Sequence, residues 1–359
     1  DWFEGDRHGK GTMIWASGNK YVGDWSEDFQ HGKGTITWEI GDIFKGNFVN
    51  DKRTGKGIYT WPDGNIYEGD FLDNRLNGNG IFTWLNGSVY EGEFSNDKRN
   101  GLGTMSYTSG AIYSGDWFEG NEHGKGTKTW ASGAKYVGDW FEGDRHGKGT
   151  MIWASGGKYV GDWYEDLQHG KTIKTWPSGD KYEGYYKNGK INGKGTYSWP
   201  SGNIYEGDWV DGERTGKGTY TWPNGDVYEG DFQDNSRTGI GTFKTNDALI
   251  QKGVFKDGDY LGSESEFGDA LDSSKKENNI SEKTEIIEKQ NPKYKITNAF
   301  FDVFDLNNDG FLEKTEIEES IQNLVFKRDV AKRSGNISKY KIYLNEINEL
   351  ETLLFDILE

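Results

Sequence analysis

The polar and apolar positions of this chain alternate in short runs, and the runs recur at a fixed interval. In "YVGDW" (Tyr21–Trp25), alternation puts Tyr21, Gly23 and Trp25 on one face of a strand and Val22 and Asp24 on the other. In "GTITW" (Gly34–Trp38), Gly34, Ile36 and Trp38 share one face, and Thr35 and Thr37 the other. Starts comparable to Tyr21 follow at Phe44, Tyr67, Tyr90, Tyr113, Tyr136, Tyr159, Tyr182, Tyr205 and Tyr228, each 23 residues after the last. Tyr21 through Ile250 therefore holds ten periods, flanked by half-repeats at 1–20 and 251–262. Each period predicts two strands joined by a loop, then a turn such as W-P-[DSN]-G, with Pro62, Pro177, Pro200 and Pro223 at its second position. Proline pre-sets φ there, and glycine supplies the positive φ that follows.

The pattern predicts a mainly β fold: an elongated, single-layer, twisted antiparallel array of β-hairpins. One face is aromatic with glycine gaps, and the other carries Thr, Asp and Glu. Two strands at about 4.8 Å give roughly 10 Å per repeat, so ten repeats would span on the order of 100 Å. Such a one-dimensional array suits a spacer or docking rail. The block 1–25 recurs at 139–163 with one change, Asn19 against Gly157, and weaker identity continues to 70 and 208. Duplication of a six-repeat block accounts for the offset of 138. The last repeat is worn, with Thr245 for the turn tryptophan and Ala248 for the turn glycine, as in a capping repeat. The first residues already read as mid-repeat, so the native N-terminus is expected to lie upstream.

The unit closely resembles the MORN repeat (membrane occupation and recognition nexus). Tyr67-Glu68-Gly69-Asp70-Phe71, then Gly78-x-Gly80, Trp84 and Gly87 carry the match, with equivalents in nearly every period over about residues 1–262. The resemblance implies stacked β-hairpins and a role like those of cytoskeletal and ciliary scaffolds, membrane-junction proteins, or the non-catalytic ends of some lipid kinases and methyltransferases.

The pattern changes after Gly262. Residues 263–292 are polar and charged, a linker with a short helix at its end. Residues 293–359 then predict a small α-helical EF-hand region. "DLNNDGFLEKTE" fits the calcium-loop pattern throughout. Asp305, Asn307 and Asp309 supply oxygens, Gly310 the sharp turn, Phe311 its carbonyl, Glu313 a water-mediated contact and Glu316 the bidentate closure. Ile296, Phe300, Phe301 and Phe304 precede the loop with helical spacing, and Ile317, Ile321 and Leu324 follow it. Tyr340, Tyr343, Ile347, Leu350, Leu354 and Ile357 predict one further amphipathic helix. EF-hands usually fold as pairs, and "FDILE" at 355–359 parallels "FDVFD" before the first loop, so a second hand is expected downstream.

Composition narrows the chemistry. The 359 residues carry a formal charge of −17, with 53 glycines and 15% aromatics. Net acidity argues against nucleic-acid binding, which needs Lys and Arg to neutralise phosphates. It also disfavours anionic membranes: residues 1–262 hold 29 Lys+Arg against 38 Asp+Glu. There is no cysteine, hence no disulfide or thiolate site. The recurrent G-K-G-T is not a phosphate-binding P-loop. Gly5 stands one residue too close to Gly9-Lys10, Gly11 occupies the hydroxyl position, and the literal Gly170-Lys171-Thr172 has Glu165 at the required first glycine.

Three rows of side chains remain as candidates. All five histidines (His8, His31, His123, His146, His169) share one repeat position with Thr54, Asn77 and Asn100, which points to turn hydrogen bonding. The aspartates after the first glycine, such as Asp24, Asp70 and Asp208, read as a solvated polar face. The aromatic face is different. Either twist buries its rings against one another, or a partner covers them. Tyr67, Phe71 and Trp84 in one hairpin, and Tyr205, Trp209 and Trp222 in another, are the candidate docking residues. The expected function is a non-enzymatic scaffold that docks proteins of a large cytoskeletal assembly. The resemblance points to the ciliary or flagellar axoneme, such as radial-spoke-head components, and a Ca2+-binding tail completes the reading. The alternative is a membrane or phosphoinositide-binding module, or the regulatory part of a lipid-kinase-like protein.

Overall fold

The computed structural model describes residues 2–3, 5–246 and 250–266. The chain divides into two compact units, 1–266 and 267–359, and every described residue lies in the first. The linker beyond 266, the EF-hand residues 305–316, the helix over 340–357 and the worn position Ala248 lie outside the described residues.

Each repeat contains a seven-residue strand, such as Ile66–Leu72, and a nine-residue strand, such as Arg75–Thr83. From Gly9–Ile14 to Asp259–Gly262 the strands form one antiparallel sheet in which each ladder joins strands adjacent in sequence. No ladder among the described residues pairs Gly9–Ile14 with Asp259–Gly262, so the sheet is an open meander and not a closed barrel. Two short strands, Trp2–Phe3 and Asp6–Arg7, pair separately before it.

The two connections differ, and each has a sequence cause. The link predicted as a loop is a two-residue turn with positive φ at both positions, as at Asp73 (48°) and Asn74 (73°). This geometry matches strand twist, and Asn, Asp and Gly tolerate it best. The other link is the predicted proline–glycine turn. Gly64 N–H donates to Trp61 O at 3.0 Å, and Gly64 takes φ +91°.

The G-K-G motif builds a bulge. Gly23 faces Gly34 across the ladder, but Asp24 faces His31, so Gly32 and Lys33 are extra residues on the longer strand. Gly32 holds φ +61° there. The second glycine has a separate reason. A Cβ on Gly34 would lie 2.3 Å from the Tyr21 hydroxyl and 2.5 Å from its ring.

Candidate functional site

The aromatic face is the core. Tyr21, Phe44, Tyr67, Tyr90, Tyr113, Tyr136, Tyr159, Tyr182, Tyr205 and Tyr228 are all fully buried. Apart from Tyr159, whose hairpin has Thr172 in place of the second glycine, each ring lies over the glycine gap of its own hairpin, and all ten meet two others edge-on. Tyr113 stands 5.2 Å from Trp117 in its own strand and 5.2 Å from Trp140 of the next repeat, at 86° and 87°. Aromatic edges thus meet ring faces from one repeat to the next. The hydroxyls are satisfied locally: Tyr67 donates to Asp70 O at 3.0 Å. Burial pushes the Tyr21, Tyr90 and Tyr228 phenols up to about 12, so they stay protonated at neutral pH.

The predicted docking residues divide accordingly. Tyr67 and Tyr205 are fully buried, Phe71 is 3% exposed and Trp209 4%. For these four rings, neighbouring repeats and backbone supply the cover. Trp84 and Trp222 are half-buried and pack at the edge of the core. They belong to a row with Trp38, Trp61, Trp130, Trp153, Trp176 and Trp199, which keeps part of each ring on the surface.

Arginines latch neighbouring hairpins. Arg145 sits 4.3 Å from the Trp163 ring, its Nε donates to Asp166 Oδ1 at 2.7 Å, and its NH2 group donates to Asp166 O at 3.0 Å. Asp166 belongs to the two-residue turn of the following hairpin.

Two lysines break the apolar period. Lys128 and Lys174 occupy the position held by Ile36, Tyr59, Phe82 and Met105 in other repeats. Lys128 Nζ pairs with Glu122 Oε1 at 2.8 Å, and the Tyr107 hydroxyl donates to the same oxygen at 2.9 Å. The Glu122 side chain is 5% exposed, so this is a buried ion pair. Lys174 donates instead to the neutral Gln168 Oε1, at 3.2 Å. The rings of Trp176, Tyr186 and Trp153 lie 5.0, 5.1 and 5.5 Å from its ammonium. Burial holds Lys174 below its ordinary value. The signal for both was present in the sequence as a lysine in an apolar row.

On the opposite face, the aspartates do more than meet solvent. Asp24 Oδ2 accepts the Lys33 backbone N–H at 3.1 Å, which pins the bulge, and Oδ1 accepts Lys10 Nζ at 2.9 Å. The Lys10 ammonium holds the Asp24 carboxyl below the usual range, against the opposing effect of desolvation. Lys56–Asp70, Lys148–Asp162 and Lys194–Asp208 repeat the pair at 2.9, 2.7 and 3.0 Å. His123, His146 and His169 alternate with Phe118, Phe141 and Tyr164 in a row of ring contacts at 5.0–6.1 Å. Burial lowers His146 and His169 from their ordinary value, so the neutral imidazole fits there. Among the described residues no group of His, Cys, Asp and Glu is arranged to hold a metal. No described helix is long and apolar enough to cross a membrane.

Among solved structures, the TCP domain of SAS-4 from Drosophila melanogaster, in complex with a proline-rich motif of Ana2, is similar at 11% identity. It covers 62% of this chain and 90% of its own, with TM-score 0.14. A streptogramin B lyase matches at 14% identity, 71% and 86% coverage and TM-score 0.14. A virginiamycin B lyase from Staphylococcus aureus matches at 10% identity, 71% and 88% coverage and TM-score 0.13. At these TM-scores none of the three bears on function. No curated protein matches the chain. The family described as MORN repeat matches residues 1–247 in consecutive segments, whose boundaries from Tyr21 onward fall on the 23-residue starts. With more than half of the sequence covered by that match, the chain belongs to the MORN-repeat family.

Proposed function

We propose that this protein is a non-catalytic scaffold of a cytoskeletal assembly, the ciliary or flagellar axoneme, and that partner proteins dock along its sheet. MORN repeats are interaction modules, which supports the coarser part of the reading. One observation carries it further. The sheet closes its own aromatic core repeat by repeat and still presents a half-buried tryptophan row along one side. Large rings with an exposed edge are favoured at protein interfaces, where burying the remaining area is favourable. Trp84 and Trp222 are therefore the docking candidates, while Tyr67, Phe71, Tyr205 and Trp209 hold the rail together. In this reading Asp305, Asn307, Asp309, Phe311, Glu313 and Glu316 bind Ca2+ and give the scaffold a calcium-responsive end.

Cross-linking of the full chain in its native cell, followed by identification of what co-purifies, tests the reading. Stoichiometric cytoskeletal partners are expected, and Trp84→Ala with Trp222→Ala should release at least one with little dependence on salt. Salt-sensitive capture of phosphoinositide vesicles, with no protein partner, would overturn it in favour of a membrane module. Calcium titration of the full chain should give a heat signal that Glu316→Gln abolishes.

A further inference from the structure

The lysine face is not uniform, and its first cleft differs from the rest. A trough of about 820 Å³ runs across five strands, from Gly9–Ile14 to Lys52–Thr60. Lys10, Lys33, Lys45 and Lys56 line it together with Val22, Ile58 and glycine backbone, and no carboxylate does. Lys10 and Lys56 are partly neutralised by Asp24 and Asp70. Lys33 has Asn47 across the ladder, where most repeats carry an acid; its backbone N–H donates to Asp24, but its ammonium acts on that carboxylate only through space. Lys45 stands between Thr35 and Ile58, both uncharged. Two exposed ammonium groups therefore sit at the centre of the trough without a carboxylate opposite.

The second copy of the duplicated block provides the contrast. Glu183 stands where Lys45 does, and it lines the corresponding cleft beside Lys148 and Lys171. The next cleft along the first copy takes in Glu68 and Glu91. The cationic stretch is thus short, with acid on its C-terminal side.

We propose that this trough binds a short, acidic, extended segment of a partner protein. The inference rests on the scaffold reading and names the chemistry of one docking point. Charge complementarity selects the sign. Size selects the form: five strands span about 19 Å, the length of about six extended residues. A plane of anionic lipid would also meet Glu68 and Glu91, whereas a narrow segment need not. The contacts are exposed ion pairs, so binding is modest and weakened by salt.

The test uses the full chain and a fluorescein-labelled peptide of alternating Glu and Ser, followed by anisotropy at low ionic strength. Lys45→Glu and Lys33→Glu should each weaken binding about tenfold, since each replaces an attractive contact with a repulsive one. Lys217→Glu, in the same row but at the acidic end, should change it little. Lys45→Glu is expected to fold, because Glu183 occupies the same place in another repeat. No peptide binding, equal loss in all three variants, or Lys45-dependent binding of anionic vesicles in place of the peptide would overturn the proposal. If cross-linked native partners are recovered while the peptide fails to bind, the trough falls and the scaffold stands. If the peptide binds in the predicted way and no partner is recovered, the trough stands and the scaffold reading falls.

Discussion

The two copies of the duplicated block differ most informatively at one short stretch. The first reads Lys33-Gly34-Thr35-Ile36-Thr37-Trp38, and the second Lys171-Thr172-Ile173-Lys174-Thr175-Trp176. The glycine has gone, a lysine has entered, and Thr-Ile has moved by one position. The ladders keep one register in both copies, Ile173 pairing with Val160 as Thr35 does with Val22, so the shift in residue order moves Thr and Ile to opposite faces. Ile36 is 8% exposed, but its shifted equivalent Ile173 is 43% exposed. Thr172 is buried at the glycine position, where its hydroxyl donates to Val160 O at 3.0 Å. Lys174 turns into the ring face. The shift ends at Trp176, and Tyr182 beyond it is again fully buried. The lesson is that turns and ladders hold the register fixed, so a shift in residue order is absorbed within one repeat.

The strongest way to sharpen this contrast uses the two lysines. Lys128→Met leaves Glu122 buried without its cation and should lower stability by about 3 kcal/mol. Lys174→Met strands no carboxylate, and Met151 already fills the same position in an adjacent repeat. It should raise stability by about 1 kcal/mol. Urea midpoints measure both, and shifts of the same sign would contradict the assigned roles of Glu122 and Gln168.

Transplanting the shift comes next. Gly34→Thr drives a Cβ into the Tyr21 ring and should lower stability by about 2 kcal/mol, whereas Thr172→Gly should stay within about 1 kcal/mol of the parent. A smaller effect depends on pH. His146 and His169 titrate below their ordinary value in the folded state, so the unfolded chain binds more protons as pH falls. Their contribution is fully present above about pH 6.5 and is lost progressively below it. The urea midpoint should drop between neutral and mildly acidic buffer, and His146→Asn with His169→Asn should flatten that drop. Last, Lys10→Ala and Lys148→Ala, equivalent in the two copies, should each alter stability by less than about 0.5 kcal/mol. A larger loss in either would make the exposed Lys–Asp row a structural element.

Much of this was legible in the residues. The period, the two strands, the proline–glycine turn and the paired faces follow from alternation and from Tyr21, Gly23 and Trp25 alone. The bulge did not follow, because G-K-G leaves open which glycine takes positive φ and which lies under a ring. The burial of Tyr67 and Trp209 could not be read either. It depends on whether a neighbouring repeat's ring arrives, Phe94 at 5.0 Å from Tyr67 and Tyr182 at 5.8 Å from Trp209, which is a matter of twist and not of pattern. The shift at Thr172 and the lysines at 128 and 174 were visible once the 23-residue repeats are aligned, but their geometry required coordinates.

The arginine latches run only one way. Arg7 holds the turn at Asp28, Arg53 the turn at Asn74, and Arg214 the turn at Asn235, always from the earlier hairpin to the later. Where arginine is absent the backbone keeps the same direction: Gln30 N–H donates to Asp51 Oδ1 at 2.7 Å, and Asp51 N–H returns to Gln30 O at 3.1 Å. In each of these described repeats the turn is thus held by the hairpin before it. An array built in this way has a polarity under load. Peeling from the C-terminal end removes a hairpin without loosening the turn left behind, whereas peeling from the N-terminal end releases the brace of the next turn. Single-molecule pulling should therefore unfold the array at lower force from the leading end than from the trailing end, and equal forces would show that the latches carry no load.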